Sequence, residues 1–303
     1  MNMPLLISIL SGLAAAGIAW YCGIIGRQIT YVTLADGRRQ ERQLPVLFRL
    51  LMPLAPNLHG LFKKPFFNKR RSNIQKKIVS AGYEDLINAD EIMSLQILMP
   101  LILGLLWVII ISALVLGGRN PVFENLKIPL YVFGPLWLFL YPLLWLKQSV
   151  ASRKKQIRRS LPFVLDLLTL SVESGMDFMT ALQRSVERGK VDAFGEELLR
   201  VIREIQVGKT RRQALRDMSA RVDLYDLKSV VGALVQADEL GVSIGAILRI
   251  QSDQIRQRRF DRAEKLANEA PVKMLAPLLL FIFPAVFVIL LGPVIHQILL
   301  KGF

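Results

Sequence analysis

The chain has 303 residues, 52% of them hydrophobic, and a formal net charge of +15 at pH 7, a length with room for roughly two domains of about 150 residues each. Its mean hydropathy of +0.40 exceeds that of ordinary soluble proteins although 21% of the residues are charged, so apolar blocks alternate with charged ones. The only cysteine, Cys22, excludes a disulfide within the chain, and His59 and His296 lie in no ligand-spaced motif, which argues against a zinc site.

Four apolar stretches, 4–25, 95–116, 128–146 and 274–300, approach or exceed the roughly 20 residues that a helix needs to cross a bilayer. The first has neither a basic n-region nor a clean cleavage site, so we expect a retained anchor rather than a signal peptide. None of the four contains Asp, Glu, Lys or Arg, which argues against a proton- or ion-coupled transporter. Several prolines in the spans predict kinked helices, which either pack on one another or leave a lateral groove for another membrane helix.

Lysine and arginine set the expected orientation, because cytoplasmic loops carry an excess of both. Residues 27–94 and 147–273 each hold a clear excess of basic over acidic residues, whereas the short connection at 118–127 carries only Arg119, Lys127 and Glu124. We therefore expect both long segments in the cytosol and both termini on the periplasmic side.

The first of these segments, 27–94, is rich in proline and glycine over its first half and is predicted to be irregular there. One helix is expected from Ser72 to Gly82. A second begins at Asn88, where Glu91 three residues later gives a capping-box pattern, and it should continue into the second span.

A basic run, RKKQIRR at 153–159, follows the third span. A cluster in that place predicts contact with anionic lipid headgroups. Nucleic-acid binding is the competing interpretation, but no aromatic residues are interleaved with the basic ones and the cluster is juxtamembrane.

The middle of the chain contains a repeated helix-ending pattern, in which Gly175, Gly208 and Gly241 are 33 residues apart. A helix-starting side chain follows two residues after each glycine, namely Asp177, Thr210 and Ser243. A left-handed glycine ends a helix, and Asp, Thr or Ser caps the next one. Apolar residues recur at spacings of three and four between these turns, so the repeat predicts stacked pairs of helices.

Six helices are expected in this region. They run from Ser160 to Gly175, from Asp177 to Gly189, from Asp192 to Gly208, onward from Thr210, from Asp223 to Gly241, and onward from Ser243. A tetratricopeptide-type solenoid has a similar period, but only three units are present and its aromatic and proline signature positions are missing. A closed bundle fits better. The sixth helix should enter the last span as a rigid rod.

One motif, Gly208-Lys209-Thr210, hints at nucleotide chemistry. A P-loop needs an earlier glycine at the position that Arg203 occupies, and the preceding residues show helical spacing. A helix end followed by a cap explains the motif instead. No H-E-x-x-H or G-x-S-x-G motif occurs, and the paired acids are ordinary for helix surfaces, so we expect no enzyme activity, no cofactor and no metal.

Several sequence blocks between Leu161 and Pro293 carry a family resemblance. They are LPFVLDLL from Leu161, ESG at 173–175, GKTRRQALR at 208–216, ADELG at 237–241 and PVKMLAPLLLFIFPAVFVILLGP at 271–293. On these residues the chain resembles the type II secretion F family (T2SSF) of inner-membrane platform proteins. Within that family it is similar to the TadC-type proteins of tight-adherence (Flp/Tad) pili, whereas residues 1–160 match only in layout.

The resemblance implies a non-enzymatic platform in the bacterial inner membrane that couples a hexameric secretion ATPase to pilin extraction and fibre assembly. General-secretion members carry two copies of the soluble domain, and 27–94 is too short to be a second copy. A TadB-like paralogue is therefore expected to supply the other half of a hetero-oligomer. The ATPase, the pilin and anionic lipid are the other expected partners, without nucleic acid.

The resemblance defines no catalytic residues, so the candidate interface residues are charged side chains near helix ends. They are Glu173, Asp177, Glu204, Glu239, Arg256, Arg258 and Arg259. The three arginines are candidates for an acidic surface of the ATPase or for lipid. A membrane transporter, a membrane-bound enzyme and a membrane-anchored regulatory protein are the alternative functions.

The predicted fold is an all-α integral membrane protein with four transmembrane helices and a cytosolic six-helix antiparallel bundle made of three helical hairpins. The expected divisions are a transmembrane helix at 1–26, a short basic cytosolic segment at 27–94, a transmembrane hairpin at 95–147, a cytosolic T2SSF-like domain at 148–272, and a C-terminal transmembrane helix at 273–303.

Overall fold

The computed structural model describes residues 31–33, 39–41, 44–53, 67–117, 121–188 and 192–301. The predicted first span at 4–25 and the predicted helix end at Gly189 lie outside them. The elements in chain order are β1 Tyr31–Thr33, β2 Arg39–Glu41, α1 Val46–Leu51, α2 Asn68–Ala81, α3 Ala89–Gly117, α4 Pro121–Glu173, α5 Phe178–Arg188, α6 Ala193–Gln206, α7 Arg211–Val222, α8 Tyr225–Leu240, α9 Ile244–Pro277, a π-helix Leu278–Ile282, and α10 Phe283–Lys301.

The described part of the chain is helical, as the sequence predicts, apart from one short antiparallel ribbon. In it β1 pairs with β2, and Val32 lies opposite Gln40. The ribbon falls in the proline- and glycine-rich stretch that was expected to be irregular.

A first hydrophobic core forms where α1, α2 and α3 pack together with the middle of α4. Phe48, Ile78 and Leu146 have almost no exposed surface, and the Phe48 ring meets Trp145 edge-on with centroids 4.8 Å apart. The helix α1 therefore stands where irregular chain was expected, and it belongs to a packed helical unit with α2. Buried residues recur at spacings of three and four within α2, as Ile74, Ile78 and Ala81 show. Such spacing indicates a helix face but not which helices pack together.

The first core also contains one end of each of two predicted spans. Leu95 and Met99 on α3 are fully buried in it, together with Leu146 on α4. Farther along the same helices, Leu105 and Phe133 are largely exposed. The exposed apolar surface is therefore shorter than the stretches 95–116 and 128–146, because one end of each stretch packs against protein.

Helix α2 begins at Asn68, four residues before the predicted start, and ends at Ala81. Gly82 follows with a left-handed φ of 74°. Helix α3 begins directly after Asn88, whose backbone N–H donates to Glu91 Oε2 over 2.9 Å. This bond is one half of the predicted capping box, and the helix does continue into the second apolar stretch.

Helix α4 is one continuous element of 53 residues, so the predicted helix start at Ser160 is wrong. Pro162 lies inside it and cannot donate an N–H to the carbonyl four residues earlier. The neighbours Leu161 and Leu165 are buried in a second core, and this packing holds the helix through the proline. A serine before a proline indicates a helix start only where tertiary contacts do not override it.

That second core lies among the last part of α4 and helices α5 to α9. Its most deeply buried side chains are Ile157, Leu161, Ala181, Leu182, Val201, Ala214, Leu227 and Leu248. Each helix from α4 to α9 packs on the next one in sequence, and α9 packs back on α4. All six helices thus contribute to one apolar interior.

Left-handed glycines occupy the turns at one end of these helices. Gly175, Gly208 and Gly241 have φ angles of 89°, 102° and 68°. A side chain with a Cβ rarely adopts this conformation, so glycine suits these turns. The caps that follow differ, because Thr210 accepts a hydrogen bond from the N–H of Gln213, whereas Ser243 makes no side-chain cap.

Asp223 does not start a helix as predicted. It ends α7 with a left-handed φ of 50°, and α8 begins at Tyr225 without a side-chain cap. Aspartate is one of the few non-glycine residues that tolerate this conformation. Its carboxylate pairs with Lys228 and Lys154, and hydrogen bonds from these lysines lower the pKa of Asp223 below its usual value.

Helix α9 leaves the second core and continues through the π-helix into α10. Within the described residues no other element packs on its apolar part, and side chains such as Leu279 and Val288 are largely exposed. The π-helix lies between Pro277 and Pro284, and the N–H of Phe283 reaches back five residues to Leu278. Prolines and π-bulges are both known causes of helix bending.

Two helices of the described part are long and apolar enough to cross a membrane. They are Ala89–Ile109 and Ile244–Pro293. The four-span arrangement and the orientation of the termini stay predictions.

Candidate functional site

The charged residues of the second core form ion-pair groups between helices rather than a cleft. In the first group, which we call the Glu197 cluster, Glu197 on α6 pairs with Arg153 on α4 over 3.1 Å and with Arg221 on α7 over 3.2 Å. Arg153 also pairs with Glu196 over 2.7 Å, and Arg221 with Glu204 over 2.8 Å. These side chains are mostly buried, so the cluster fixes α4, α6 and α7 to one another.

The same helices contact the first core. Arg200 on α6 pairs with Glu84 over 2.9 Å, and the hydroxyl of Ser80 donates to the carbonyl oxygen of Arg221 over 2.7 Å. Although burial opposes its charge, the hydrogen bond and negative charge of Glu84 raise the pKa of Arg200. The two cores are therefore joined by polar contacts in addition to the shared helix α4.

A second group, the Asp226 cluster, lies where α8 begins. Asp226 is buried, and three arginines reach its carboxylate: Arg262 over 2.7 Å, Arg158 over 3.4 Å and Arg258 over 3.6 Å. The guanidinium of Arg258 also lies 5.3 Å from the centre of the Tyr225 ring, a cation–π arrangement. This cluster links α4, α8 and α9.

The predicted acidic interface residues make ion pairs or hydrogen bonds with other residues of the chain. Glu173 pairs with Arg249 over 3.5 Å, and Glu239 with Arg216 over 2.8 Å. Glu204 belongs to the Glu197 cluster, where it also pairs with Lys209 over 2.9 Å. Asp177 accepts a hydrogen bond from the N–H of Met179 over 2.9 Å, a helix-capping contact.

The predicted basic interface residues differ from one another. Arg256 pairs with Asp166 over 2.8 Å, and Arg258 belongs to the Asp226 cluster. Arg259 is exposed and has no partner in the part of the chain that the structure describes. The role of the seven candidates in an interface stays a prediction.

The basic run at 153–159 lies partly against the helical domain. Arg153 is buried in the Glu197 cluster, Lys154 pairs with Asp223 over 3.0 Å, and Arg158 contacts Asp226 while it stays about half exposed. Contact of the run with lipid stays a prediction. A contiguous run on a helix points in all directions, so part of it meets the neighbouring helices.

The Gly208-Lys209-Thr210 motif is a helix connection in the structure. Lys209 Nζ pairs with Asp217 over 2.7 Å and with Glu204 over 2.9 Å. Hydrogen bonds to Asp217 and then Glu204 raise the pKa of Lys209. The lysine charge is thus neutralised inside the chain, and the threonine caps α7. Nor does the described part hold a group of three or more His, Cys, Asp or Glu residues that could bind a metal ion.

Reasoning from the sequence missed both ion-pair clusters. Asp226 lies in the first turn of α8, two residues after the N-cap residue Leu224. Acidic residues are common in a first helical turn, so its sequence position does not indicate burial. Arg258 and Arg262 are four residues apart and so share one face of a helix, which is the only local signal. Their convergence with Arg158 depends on how α9 packs against α4.

Residues 164–292 match the T2SSF family. Its description is type II secretion system (T2SS), protein F. The matched segment begins in α4 and ends in α10, so it contains most of the second core and most of the last apolar stretch. The family occurs in inner-membrane platform proteins of type II secretion and type IV pili. No curated protein and no solved structure matches the chain.

Proposed function

We propose that this chain is a non-enzymatic platform protein of a Tad (Flp) pilus or a related secretion machine in the bacterial inner membrane. In this role it couples a hexameric secretion ATPase in the cytosol to the extraction of pilin from the membrane and to fibre assembly. The observation that carries the proposal is the T2SSF match at 164–292, which coincides with one helical domain that is continuous with an apolar helix.

The helical domain supports a mechanical role rather than a chemical one. Several of its charged groups are paired with one another between helices, for example Glu197 with Arg153 and Arg221. Such pairing makes the six helices a stiff body, since each cluster ties three of them together. Helix α9 then leaves this body and becomes the apolar helix, so a displacement of the domain is transmitted along one rod.

The chain contains one T2SSF-like domain, and a platform of this kind is proposed to pair with a TadB-like paralogue in a hetero-oligomer. The helices within 27–94 form much of the first core and contact α6 through Glu84 and Arg200 and α7 through Ser80 and Arg221. They therefore serve as a brace for the single domain and not as a second copy of it. All termini and spans are proposed to follow the orientation predicted from the basic loops.

Affinity purification of the tagged full chain from its native host, after solubilisation in mild detergent, tests this function. We expect three proteins to co-purify with it: a hexameric ATPase, a pilin, and a paralogue whose sequence has the same regularly spaced glycine turns. A deletion of the gene should abolish surface fibres while pilin accumulates in the membrane. Normal fibres in the deletion strain, or substrate turnover by the purified chain alone, would contradict the proposal.

A further inference from the structure

The Asp226 cluster holds more positive charge than its carboxylate can neutralise. Arg158, Arg258 and Arg262 all reach Asp226, whose side chain is only 3% exposed. Within the described residues no other acidic side chain pairs with these arginines. Two of the three positive charges are therefore left without a counter-ion.

The arginines also retain unused hydrogen-bond donors. Each contacts Asp226 through one nitrogen, Nε of Arg158, Nη1 of Arg258 and Nη2 of Arg262. The other two nitrogens of each guanidinium have no partner in the part of the chain described. The side chains are between 31% and 48% exposed, so a ligand from solvent can reach them. Planar guanidinium donors match the oxygens of a phosphate group.

The cluster is held in place before any ligand arrives. Asp226 accepts two hydrogen bonds from Arg262, over 2.9 and 2.7 Å, and the ring of Tyr225 supports Arg258. Because these side chains are already ordered in the free protein, a ligand loses less binding free energy to restricting their motion.

We propose that the Asp226 cluster binds a phosphate-bearing anion through Arg158, Arg258 and Arg262. This inference does not depend on the platform function. The anion has two possible sources, a phospholipid headgroup or a free phosphate compound. Arg262 is ten residues from Val272, where the exposed apolar run begins, which is about 15 Å along a helix. At physiological ionic strength that distance is about two Debye lengths, over which charge interactions are largely screened, so a headgroup must contact the arginines directly to bind.

The test uses the purified full chain in a neutral detergent and two probes. Pyrophosphate is titrated by calorimetry, and phosphatidylglycerol retention is compared with phosphatidylcholine retention by native mass spectrometry. The double variant Arg158→Gln, Arg258→Gln keeps the bond between Arg262 and Asp226. We expect it to bind the relevant probe roughly 30-fold more weakly, the effect of two basic residues near an anion.

The two arms identify the source. Loss of phosphatidylglycerol retention alone indicates a headgroup site, loss of pyrophosphate binding alone indicates a free phosphate, and loss of both supports the shared chemistry. The matched control is Arg212→Gln, Arg216→Gln, which removes the same charge from arginines paired with Glu239. The proposal is overturned if the control loses as much binding as the cluster variant, or if the cluster variant binds both probes as the unaltered chain does.

A variant of the acid separates anion binding from a purely structural ion pair. Asp226→Asn removes the internal counter-ion, so the three arginines repel one another and the melting temperature should fall. If the cluster binds an anion, this variant should bind the probe more tightly, and saturating probe should restore the melting temperature. A fall in melting temperature that neither probe reverses would show that the cluster only holds the helices together.

Discussion

Glu197 is buried between two arginines that come from different helices, Arg153 and Arg221. A buried ion pair adds little net stability compared with an apolar pair of the same shape, but removing one partner strands the remaining charge. The cost of losing Glu197 is therefore expected to be much larger than the worth of a surface pair. Comparing the loss of stability when a buried pair and an exposed pair are each disrupted therefore tests whether Glu197 is buried.

The variant Glu197→Gln should destabilise the chain by about 1–3 kcal/mol, because a buried charge-assisted contact to Arg153 and Arg221 is lost although Glu196 and Glu204 still pair with them. The measurement is thermal unfolding of the purified chain in detergent, where the melting temperature should fall by several degrees. Glu239→Gln is the control, since Glu239 is well exposed and surface pairs contribute about 0–1 kcal/mol. Equal shifts for the two variants would contradict the buried placement of Glu197.

Only some of the individual residues of the site could be predicted from the sequence. Gly175, Gly208 and Gly241 could be assigned to turns because a left-handed residue after a helical stretch is a local requirement. The acids and arginines carry no such local signal, since Glu197 has the same sequence neighbourhood as an exposed helix acid. Only the packing of α6 against α4 and α7 determines that it is buried and paired.

Among the elements, α3 and α4 form the hairpin that is predicted to enter the membrane. Trp107 on α3 lies over Gly134 on α4, and a Cβ added to Gly134 would clash with Trp107 Nε1. Without a hydrophobic drive between helices in lipid, close packing at small residues is what holds such pairs together. Gly134 is therefore a contact point of the hairpin.

The variant Gly134→Ala should lower stability by about 1–3 kcal/mol, because the indole of Trp107 must move and the helices must separate. Thermal unfolding in detergent, or cross-linking between cysteines introduced on α3 and α4, measures the change. Gly104→Ala in the same hairpin is the control, since its nearest neighbour, Pro135 Cβ, is 3.4 Å away and the added methyl fits. A similar effect of both substitutions would argue against the close contact at Gly134.

The elements also show where prediction from sequence stops. Helix ends at a left-handed glycine or at the Asn88–Glu91 capping box follow local rules, which depend on neighbouring residues alone. In the structure these ends lie within a few residues of their predicted positions. The continuity of α4 through Pro162 and the core around Phe48 do not follow such rules. In both cases contacts between residues distant in sequence outweigh a local preference.

For the described part of the molecule as a whole, two packed cores share α4, and α9 links the second core to the last apolar stretch. The last contact of α9 with the domain is the pair between Arg262 and Asp226 on α8. Between Arg262 and Val272 no described element packs on this helix. Any force between the helical domain and the last span must pass along this segment. Force transmission in the proposed function therefore requires this segment to stay helical, but it does not require particular side chains there.

Insertion of seven Gly and Ser residues at Ala270 should abolish fibre assembly, because each glycine costs about 1 kcal/mol relative to alanine in a helix and a flexible linker cannot transmit displacement. The matched control inserts seven Ala and Glu residues, close to two helical turns, at the same site. It lengthens the rod equally but keeps it helical, so it should retain more surface fibres in an immunoblot of sheared cells. Comparable membrane levels of both variants show that insertion and folding are intact. Full assembly with the flexible insert would mean that α9 is a tether, and that the domain acts on its partners without passing force into the membrane.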